Sequence, residues 1–186
     1  VHAHSDMTAL QDSSAQGRVH DGVTTDINGM CGFTYYPLDD RMARLRHKSL
    51  GARGIKLDWR DAAGYFDRVE AFGSAINRAF MVGHGAIRAC AMGFADRAPT
   101  RGERDAMRRL AVEAMEAGAF GMSSGLVYPP GLYCATDELV DLCRVVARHG
   151  GIYASHVRGE ANPVVESVRE ALRIAQAEDF VQEMDG

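Results

Sequence analysis

The chain has 186 residues and a formal net charge of -4 at pH 7, and 46% of its residues are hydrophobic. This is enough for one well-packed globular domain, and the absence of a long run of Lys and Arg argues against nucleic-acid binding. No stretch approaches the ~18 consecutive apolar residues of a membrane helix, so we expect no membrane partner. No signal peptide opens the chain. Because it starts at Val1 rather than at a methionine, we expect the natural N-terminus to lie upstream.

The four cysteines are scattered along the chain without a CxxC pair: Cys31, Cys90, Cys134 and Cys143. The chain is neither small nor rich in cysteine, unlike secreted domains that depend on disulfides. We therefore expect reduced thiols and a cytoplasmic location.

The first half of the chain contains three short apolar or β-branched runs. They lie around Val1–His4, at Val23–Ile27 and at Ala79–Val82. Such runs, bounded by glycine and polar residues, are typical of strands.

The second half begins with a predicted helix. Thr100 stands at capping-box spacing from Glu103, and Gly118 can end the helix in a left-handed conformation. The predicted inward face consists of Met107, Leu110, Ala111, Ala114 and Met115.

Two more strands and two more helices follow in alternation. Strands are predicted at Ala119–Ser123 and Gly151–Ser155, and helices from about Thr136 and from Asn162-Pro163. The first of these helices has an inward face of Leu139, Leu142, Cys143 and Val146, and the second carries Val164, Val168, Ala171, Leu172 and Ala175.

The repetition of strand and helix predicts an α/β fold with a parallel sheet of about five strands. A closed (β/α)8 barrel needs eight strands and typically ~250 residues, so the chain is short for one.

The candidate metal ligands all stand at predicted strand ends. His2 and His4 are two residues apart in an extended segment, so both imidazoles can face one metal ion. Cys31 follows the second predicted strand between glycines, where a thiolate can bind zinc. His84 and His156 follow later strands, at the end where barrel enzymes place their chemistry. Each residue alone also fits a structural role, but their shared position favours a site.

Two other motifs have competing interpretations. The segment Gly121–Gly125 matches the GxSxG elbow of serine hydrolases around Ser123, but two prolines and a glycine follow where that elbow requires a helix. Gly83-His84-Gly85 resembles the start of a dinucleotide loop, but Arg88 replaces the third glycine. We regard both as the weaker interpretations.

Seven segments carry a family resemblance: HAHSD (2–6), GVTT (22–25), VGHGAIR (82–88), MGF (92–94), GAFGMS (118–123), GLVYPPG (125–131) and YASHVR (153–158). In this order and spacing they resemble the N-acyl-D-amino-acid deacylase (D-aminoacylase) family of the amidohydrolase superfamily. The resemblance runs from His2 to about Ala177.

The resemblance implies a TIM-like (β/α)8 barrel that uses Zn²⁺ to hydrolyse the amide bond of small N-acyl-D-amino acids. By position, Cys31 and His156 match ligands of the tightly held zinc. His2 and His4 match a pair at a neighbouring, weaker metal position. His84 and Tyr128 match positions around the substrate pocket.

Two arginines are candidates for the substrate carboxylate. The planar guanidinium of Arg88 or Arg158 suits bidentate binding of a carboxylate. An ordinary salt bridge within the protein is an equally good interpretation of both.

The sequence also departs from the family. The aspartate expected before His2 is absent, and residues 177–186 lack the histidine expected at the end of the sixth strand. The general-base aspartate has no clear counterpart, and Asp185 is a weak candidate. The flanking β-sandwich is missing as well. We therefore expect residues 1–186 to be one partial barrel domain, incomplete and inactive alone.

Two alternatives remain. A cyclic amidohydrolase of the dihydroorotase or hydantoinase kind is possible, although these enzymes usually have a carboxylated lysine where this chain has Cys31. A non-catalytic truncated barrel would leave a strand edge unpaired, so self-association through open barrel edges is expected.

Overall fold

In the computed structural model, which describes residues 2–176, four parallel strands form one sheet. The strands are β1 (Thr25–Asn28), β2 (Asn77–Gly83), β3 (Gly121–Gly125) and β4 (Ile152–His156). The described part of the chain has seven α-helices: α1 (Gln16–His20), α2 (Asp40–Gly51), α3 (Ala62–Phe72), α4 (His84–Met92), α5 (Arg101–Glu116), α6 (Thr136–Arg148) and α7 (Val164–Ala175). Short 3₁₀ helices span Thr8–Leu10 and Gly131–Tyr133.

The strands lie in the sheet in the same order as in the chain, and every neighbouring pair is parallel. Helices connect the strands, as parallel pairing requires. The result is a curled α/β half-barrel, which confirms the predicted fold class of a partial barrel. Because all strands run the same way, their carboxyl ends meet at one edge of the sheet.

The predicted first strand is reduced to a single contact. His2 forms an isolated parallel bridge with Ile27, and the Ala3 amide donates to the Ile27 carbonyl at 2.9 Å. The chain then turns into the 3₁₀ helix at Thr8–Leu10. The prediction of a fifth strand is therefore wrong for the described residues, although His2 and His4 still lie beside β1.

The helix predicted from Thr100 is confirmed as α5. Thr100 Oγ1 accepts from the Glu103 amide, and the Glu103 carboxylate accepts from the Thr100 amide at 2.7 Å. Gly118 has a φ of +102° just beyond the helix. The face predicted to be buried packs inward, with Leu110 the half-buried member.

The four α-helices that precede α5 were not predicted. α2 is rich in charged residues, which obscures its apolar stripe, and α4 follows β2 without a side-chain cap. Two aspartates do mark helix starts: Asp39 accepts from the Met42 amide at 2.7 Å, and Asp61 accepts from the Gly64 amide at 2.8 Å. Such N-caps satisfy amides that have no partner within the helix.

An aromatic cluster fixes the segments that follow the predicted first and second strands. The Tyr65 ring lies 5.0 Å from Tyr36 and 5.3 Å from Phe80, measured between ring centroids. The Tyr65 hydroxyl donates to the Asp6 carbonyl at 2.6 Å, and the Tyr36 hydroxyl donates to the Met81 carbonyl at 2.8 Å. The cluster thus holds the residues just after His4 and Cys31 against β2 and α3.

The outer part of α7 remains uncovered by the described residues. Val165, Val168 and Leu172 on this helix are exposed, whereas Ile174 is buried. No helix of the described part is both long enough and apolar enough to cross a membrane.

The capping box makes α5 a good place to test local stability. Replacing Thr100 with alanine removes the side-chain acceptor of the Glu103 amide. We expect Thr100→Ala to lower the free energy of unfolding by about 1 kcal/mol, measured by urea denaturation. Arg109→Ala, an exposed change on the same helix, is the control and should have less than half that effect. Equal effects would show that the cap does not stabilise the chain.

Candidate metal centre

Cys31 lies in a loop of unusual backbone conformation directly after β1. Its φ is +56°, and the φ angles of Gly29 and Gly32 are +76° and +71°. A left-handed conformation costs a non-glycine residue roughly 1–2 kcal/mol, so surrounding structure must hold Cys31 in place. Such strain is characteristic of functional sites.

Three imidazoles surround the Cys31 thiol. The Sγ atom lies 3.5 Å from His4 Nε2, 3.8 Å from His2 Nε2 and 3.5 Å from His156 Nδ1. The two N-terminal histidines approach each other at 3.3 Å between their Nε2 atoms. The structure therefore brings together all four predicted metal ligands, with Cys31 in contact with each of the others.

The separation within each contacting pair fits two ligands of one zinc ion, and the ligand atoms of His2, His4 and Cys31 all lie within 4.8 Å of one another. His156 is not part of that close group, so its contact with Cys31 fits a neighbouring position. Zinc binds thiolate at about 2.3 Å and imidazole at about 2.0–2.1 Å, so tetrahedral ligands lie about 3.6 Å apart for S and N and about 3.4 Å apart for two N atoms. The measured separations of 3.5–3.8 Å and 3.3 Å are close to these values. A thiol and imidazoles are also the ligand types that zinc prefers.

His156 is oriented by contacts on both sides of its ring. It ends β4, where it pairs with Gly125 of β3, and its ring meets Tyr128 edge-on with centroids 5.1 Å apart. Its Nε2 lies 2.9 Å from Glu160 Oε1. This carboxylate favours the proton on Nε2, which leaves the lone pair of Nδ1 directed to Cys31.

The surroundings favour the uncharged forms of two ligands. Burial, together with His2 and His156, lowers the pKa of His4. Burial and the nearby Glu160 raise the pKa of the Cys31 thiol. Neutral imidazole is the form that binds metal, whereas the thiol must lose its proton when a cation binds.

A cavity of about 380 Å³ opens beside the ligands His4 and Cys31. Its walls are mostly apolar and include Phe33, Leu38 and Met42. The predicted substrate residue Tyr128 also lines this cavity. A concave, largely apolar site next to a candidate metal position is the usual form of a small-molecule pocket.

The other predicted substrate residues lie outside the cavity wall. His84 and Arg88 are fully buried and contact Glu138 at 2.8 Å and 2.6 Å. Arg158 contacts Glu170 at 2.9 Å. Both arginines therefore form internal salt bridges, which was the alternative to binding of the substrate carboxylate.

The buried group of His84, Cys134 and Glu138 also has metal-binding atoms close together. Arg88 already occupies the second carboxylate oxygen of Glu138. A fixed guanidinium in contact with the carboxylate opposes a second cation there, so we interpret this group as an internal ion-pair network.

Ser123 has no geometry for nucleophilic catalysis. It is fully buried in the middle of β3, where its Oγ donates to the Gly29 carbonyl and accepts from the Gly32 amide. β3 is followed by turns and a 3₁₀ helix, not by the α-helix of a nucleophile elbow. Gly83 and Gly85 both pack against the Gly32 carbonyl, so this contact with the Cys31 loop accounts for the two glycines without a dinucleotide.

Several cavity residues were missed from the sequence. Arg46 and Met42 lie on α2, whose start was signalled by Asp39, and Phe94 follows α4 within the MGF motif. The weak general-base candidate Asp185 lies outside the described residues.

The half-barrel and its ligands define the class of protein. An HxH pair beside β1, with a cysteine just after β1 and a histidine at the end of β4, matches the metal-ligand positions that the family resemblance implies. No protein-family model matches the chain. It is 38% identical to a D-aminoacylase of Alcaligenes xylosoxydans xylosoxydans over 96% of its own length and 37% of that relative.

Solved structures show the same relationship. A structure of D-aminoacylase, solved to study its binuclear metal centre, matches with a TM-score of 0.83 and 32% identity. The match covers 96% of this chain and 37% of the D-aminoacylase chain. N-acyl-D-glutamate deacylase from Bordetella bronchiseptica, solved with zinc and a phosphonate inhibitor, matches with a TM-score of 0.81 and 35% identity, over 94% and 36%. The chain is homologous to D-aminoacylases of the amidohydrolase family over about 95% of its own length, and it spans little more than a third of the length of these relatives.

The backbone contact between Gly125 and Cys31 gives a direct test of the site's geometry. A Cβ at Gly125 would lie 2.1 Å from the Cys31 carbonyl oxygen. We expect Gly125→Ala to displace the Cys31 loop and to weaken zinc binding at least about tenfold, measured by competition with a chromogenic chelator. Gly17→Ala, where a Cβ meets nothing within 4 Å, should leave zinc binding unchanged. If Gly125→Ala binds zinc with unaltered affinity, the contact between Gly125 and Cys31 is not needed for the site.

Proposed function

We propose that this chain is part of a zinc-dependent amidohydrolase that cleaves the amide bond of N-acyl-D-amino acids. The observation that carries the proposal is the convergence of three histidines on the Cys31 thiol beside an apolar cavity. The relatives named D-aminoacylase and the zinc-containing N-acyl-D-glutamate deacylase support the same reaction.

In this proposal, Cys31 and His156 hold the more tightly bound zinc, and His2 and His4 contribute to a neighbouring position. Bound zinc would supply Lewis acidity toward the amide carbonyl and lower the pKa of a water molecule. Because the Cys31 thiol contacts ligands on both sides, one sulfur can serve two adjacent positions. Glu160 keeps His156 in the tautomer that presents Nδ1.

The cavity residues bind and shield the substrate. Apolar side chains such as Phe33 and Met42 exclude water from one side of the metal-binding residues. Tyr128 lines the cavity and also contacts the His156 ring. No Asp or Glu lines the cavity within residues 2–176. The cavity wall therefore offers no carboxylate as proton acceptor, and Asp185 remains a prediction for that role.

Cys31 also distinguishes the linear-amide reaction from its cyclic alternative. Relatives that open cyclic amides usually have a carboxylated lysine where this chain has Cys31. The chain's cysteine, in contact with three imidazoles, favours the deacylase reaction.

Two further proposals concern the chain as a whole. All four cysteines are free, which is typical of a reducing compartment and supports a cytoplasmic location. The outer edge of β4 pairs with no strand in the described part, and the apolar face of α7 is exposed. Both features support self-association of the isolated chain through the open side of the half-barrel.

Zinc binding by the chain tests the assignment of Cys31. Because a hydroxyl binds zinc far less well than a thiolate, we expect Cys31→Ser to lower zinc affinity by more than about 100-fold. Elemental analysis after dialysis and competition with a chelator both measure this effect.

Cys90→Ser is the matched control. The Cys90 Sγ accepts from the Asp39 amide and donates to the Pro37 carbonyl, contacts that a hydroxyl can also make. Zinc content should be unchanged in this variant. Full retention of zinc in Cys31→Ser would exclude Cys31 as a ligand.

Hydrolysis by the isolated chain should be undetectable. Loss of a general base alone typically costs about 10²–10⁴ in rate, and the chain lacks the expected sixth-strand histidine as well. An assay of N-acetyl-D-leucine or N-acetyl-D-glutamate hydrolysis by purified chain with added zinc measures this. Turnover near that of a whole D-aminoacylase, assayed in parallel, would show that residues of this chain supply the base.

A further inference from the structure

Arg46 is a cation in the wall of the cavity beside Cys31 and His4, and it has no carboxylate partner among residues 2–176. Its guanidinium makes no hydrogen bond or ion pair with another described residue, and its Nε atom is buried without a partner. The Cζ atom lies 4.3 Å from the centre of the Phe33 ring and 5.3 Å from that of Tyr35. These aromatic contacts orient the guanidinium but do not neutralise its charge.

The other arginines considered for this role are already occupied. Arg88 is paired with Glu138 and Arg158 with Glu170. No carboxylate among the described residues lines the cavity to compensate Arg46. A half-buried charge without a counter-ion is costly, and a carboxylate from a ligand would offset that cost.

The rest of the wall selects an apolar ligand. Phe33 and Phe94 remain 42% and 52% exposed, although apolar rings of this size are normally covered. With Leu38 and Met42 they form an apolar surface around Arg46. The cavity's volume of about 380 Å³ lies within the ordinary range of small-molecule sites.

We propose that this cavity binds the apolar part of a ligand whose carboxylate is held by Arg46. The inference deepens the proposed function and rests on it, because the cavity adjoins the candidate metal ligands. An N-acyl-D-amino acid offers two sources of such a carboxylate. One is the α-carboxylate of the amino acid, and the other is a carboxylate at the end of the acyl chain.

Binding to the metal-free chain tests the cavity independently of zinc. The probes are hexanoate and 1-hexanol, titrated in ligand-observed NMR. We expect Arg46→Gln to weaken hexanoate binding about tenfold, the loss expected for a charge-assisted hydrogen bond, and to change 1-hexanol binding less than twofold. Arg46→Lys, which keeps the charge but loses the planar fork, should fall between the wild type and Arg46→Gln.

Chain length and a filled cavity provide the second comparison. From butyrate to hexanoate, affinity should rise about fourfold per methylene group if the tail is buried. Ala86→Phe, which places a ring in the cavity, should weaken the binding of both hexanoate and 1-hexanol. The control Ala147→Phe on α6, outside the cavity wall, should change neither.

Two amides distinguish the source of the carboxylate. N-acetyl-D-norleucine carries an α-carboxylate, and adipic acid monoamide carries one at the end of its carbon chain. The amide that binds more weakly to Arg46→Gln than to the wild type shows which carboxylate Arg46 holds. Either result supports the proposal. If Arg46→Gln weakens the binding of hexanoate and 1-hexanol equally, or weakens neither, the proposal is overturned. Since zinc is absent throughout, neither result depends on whether the metal assignment is correct.

Discussion

The metal centre depends on direct contact between the backbone of the Cys31 loop and the backbones of β2 and β3. A Cβ at Gly29 would lie 2.2 Å from the Met81 carbonyl oxygen, and one at Gly83 would lie 2.5 Å from the Gly32 carbonyl oxygen. Gly32 and Gly125 are equally tight against the neighbouring backbone. Glycine is needed at these positions because no side chain fits between the segments. The left-handed conformation of Cys31 is held by this packing.

The same contacts connect the ligands to one another. Gly125, which packs against Cys31, is paired in the sheet with His156, so the positions of the thiol and this imidazole are set by adjacent backbone segments. The aromatic cluster around Tyr65 fixes the chain just after His4 through the Asp6 carbonyl. Four ligands that are distant in sequence therefore converge because each is attached to the sheet or its core, which is how a site reaches the precision that metal binding needs.

The sequence predicted the features that depend on local pattern. Thr100 and Glu103 identified the capping box of α5, and the apolar run ending at Ser155 identified β4 and the place of His156 at its end. The family motifs identified Cys31 among four cysteines. These signals are readable because the residues that make them are neighbours in sequence or occur in a set order.

Other features depend on contacts between distant residues, which local pattern does not reveal. Arg88 had the composition of a carboxylate-binding residue, but its partner Glu138 is fifty residues away. Arg46 looked like one of many charges on a polar helix, and only the fold shows that it faces a cavity and has no counter-ion in the described part of the chain. The first strand was overestimated because a short apolar segment can bridge to a sheet without extending along it.

The most direct measurement of the central claim is X-ray absorption spectroscopy at the zinc edge of the metal-loaded chain. We expect the Cys31 sulfur to scatter at about 2.3 Å from the zinc, together with imidazole nitrogens at about 2.0–2.1 Å. A first shell made only of nitrogen and oxygen, or a chain that takes up no zinc, would contradict it.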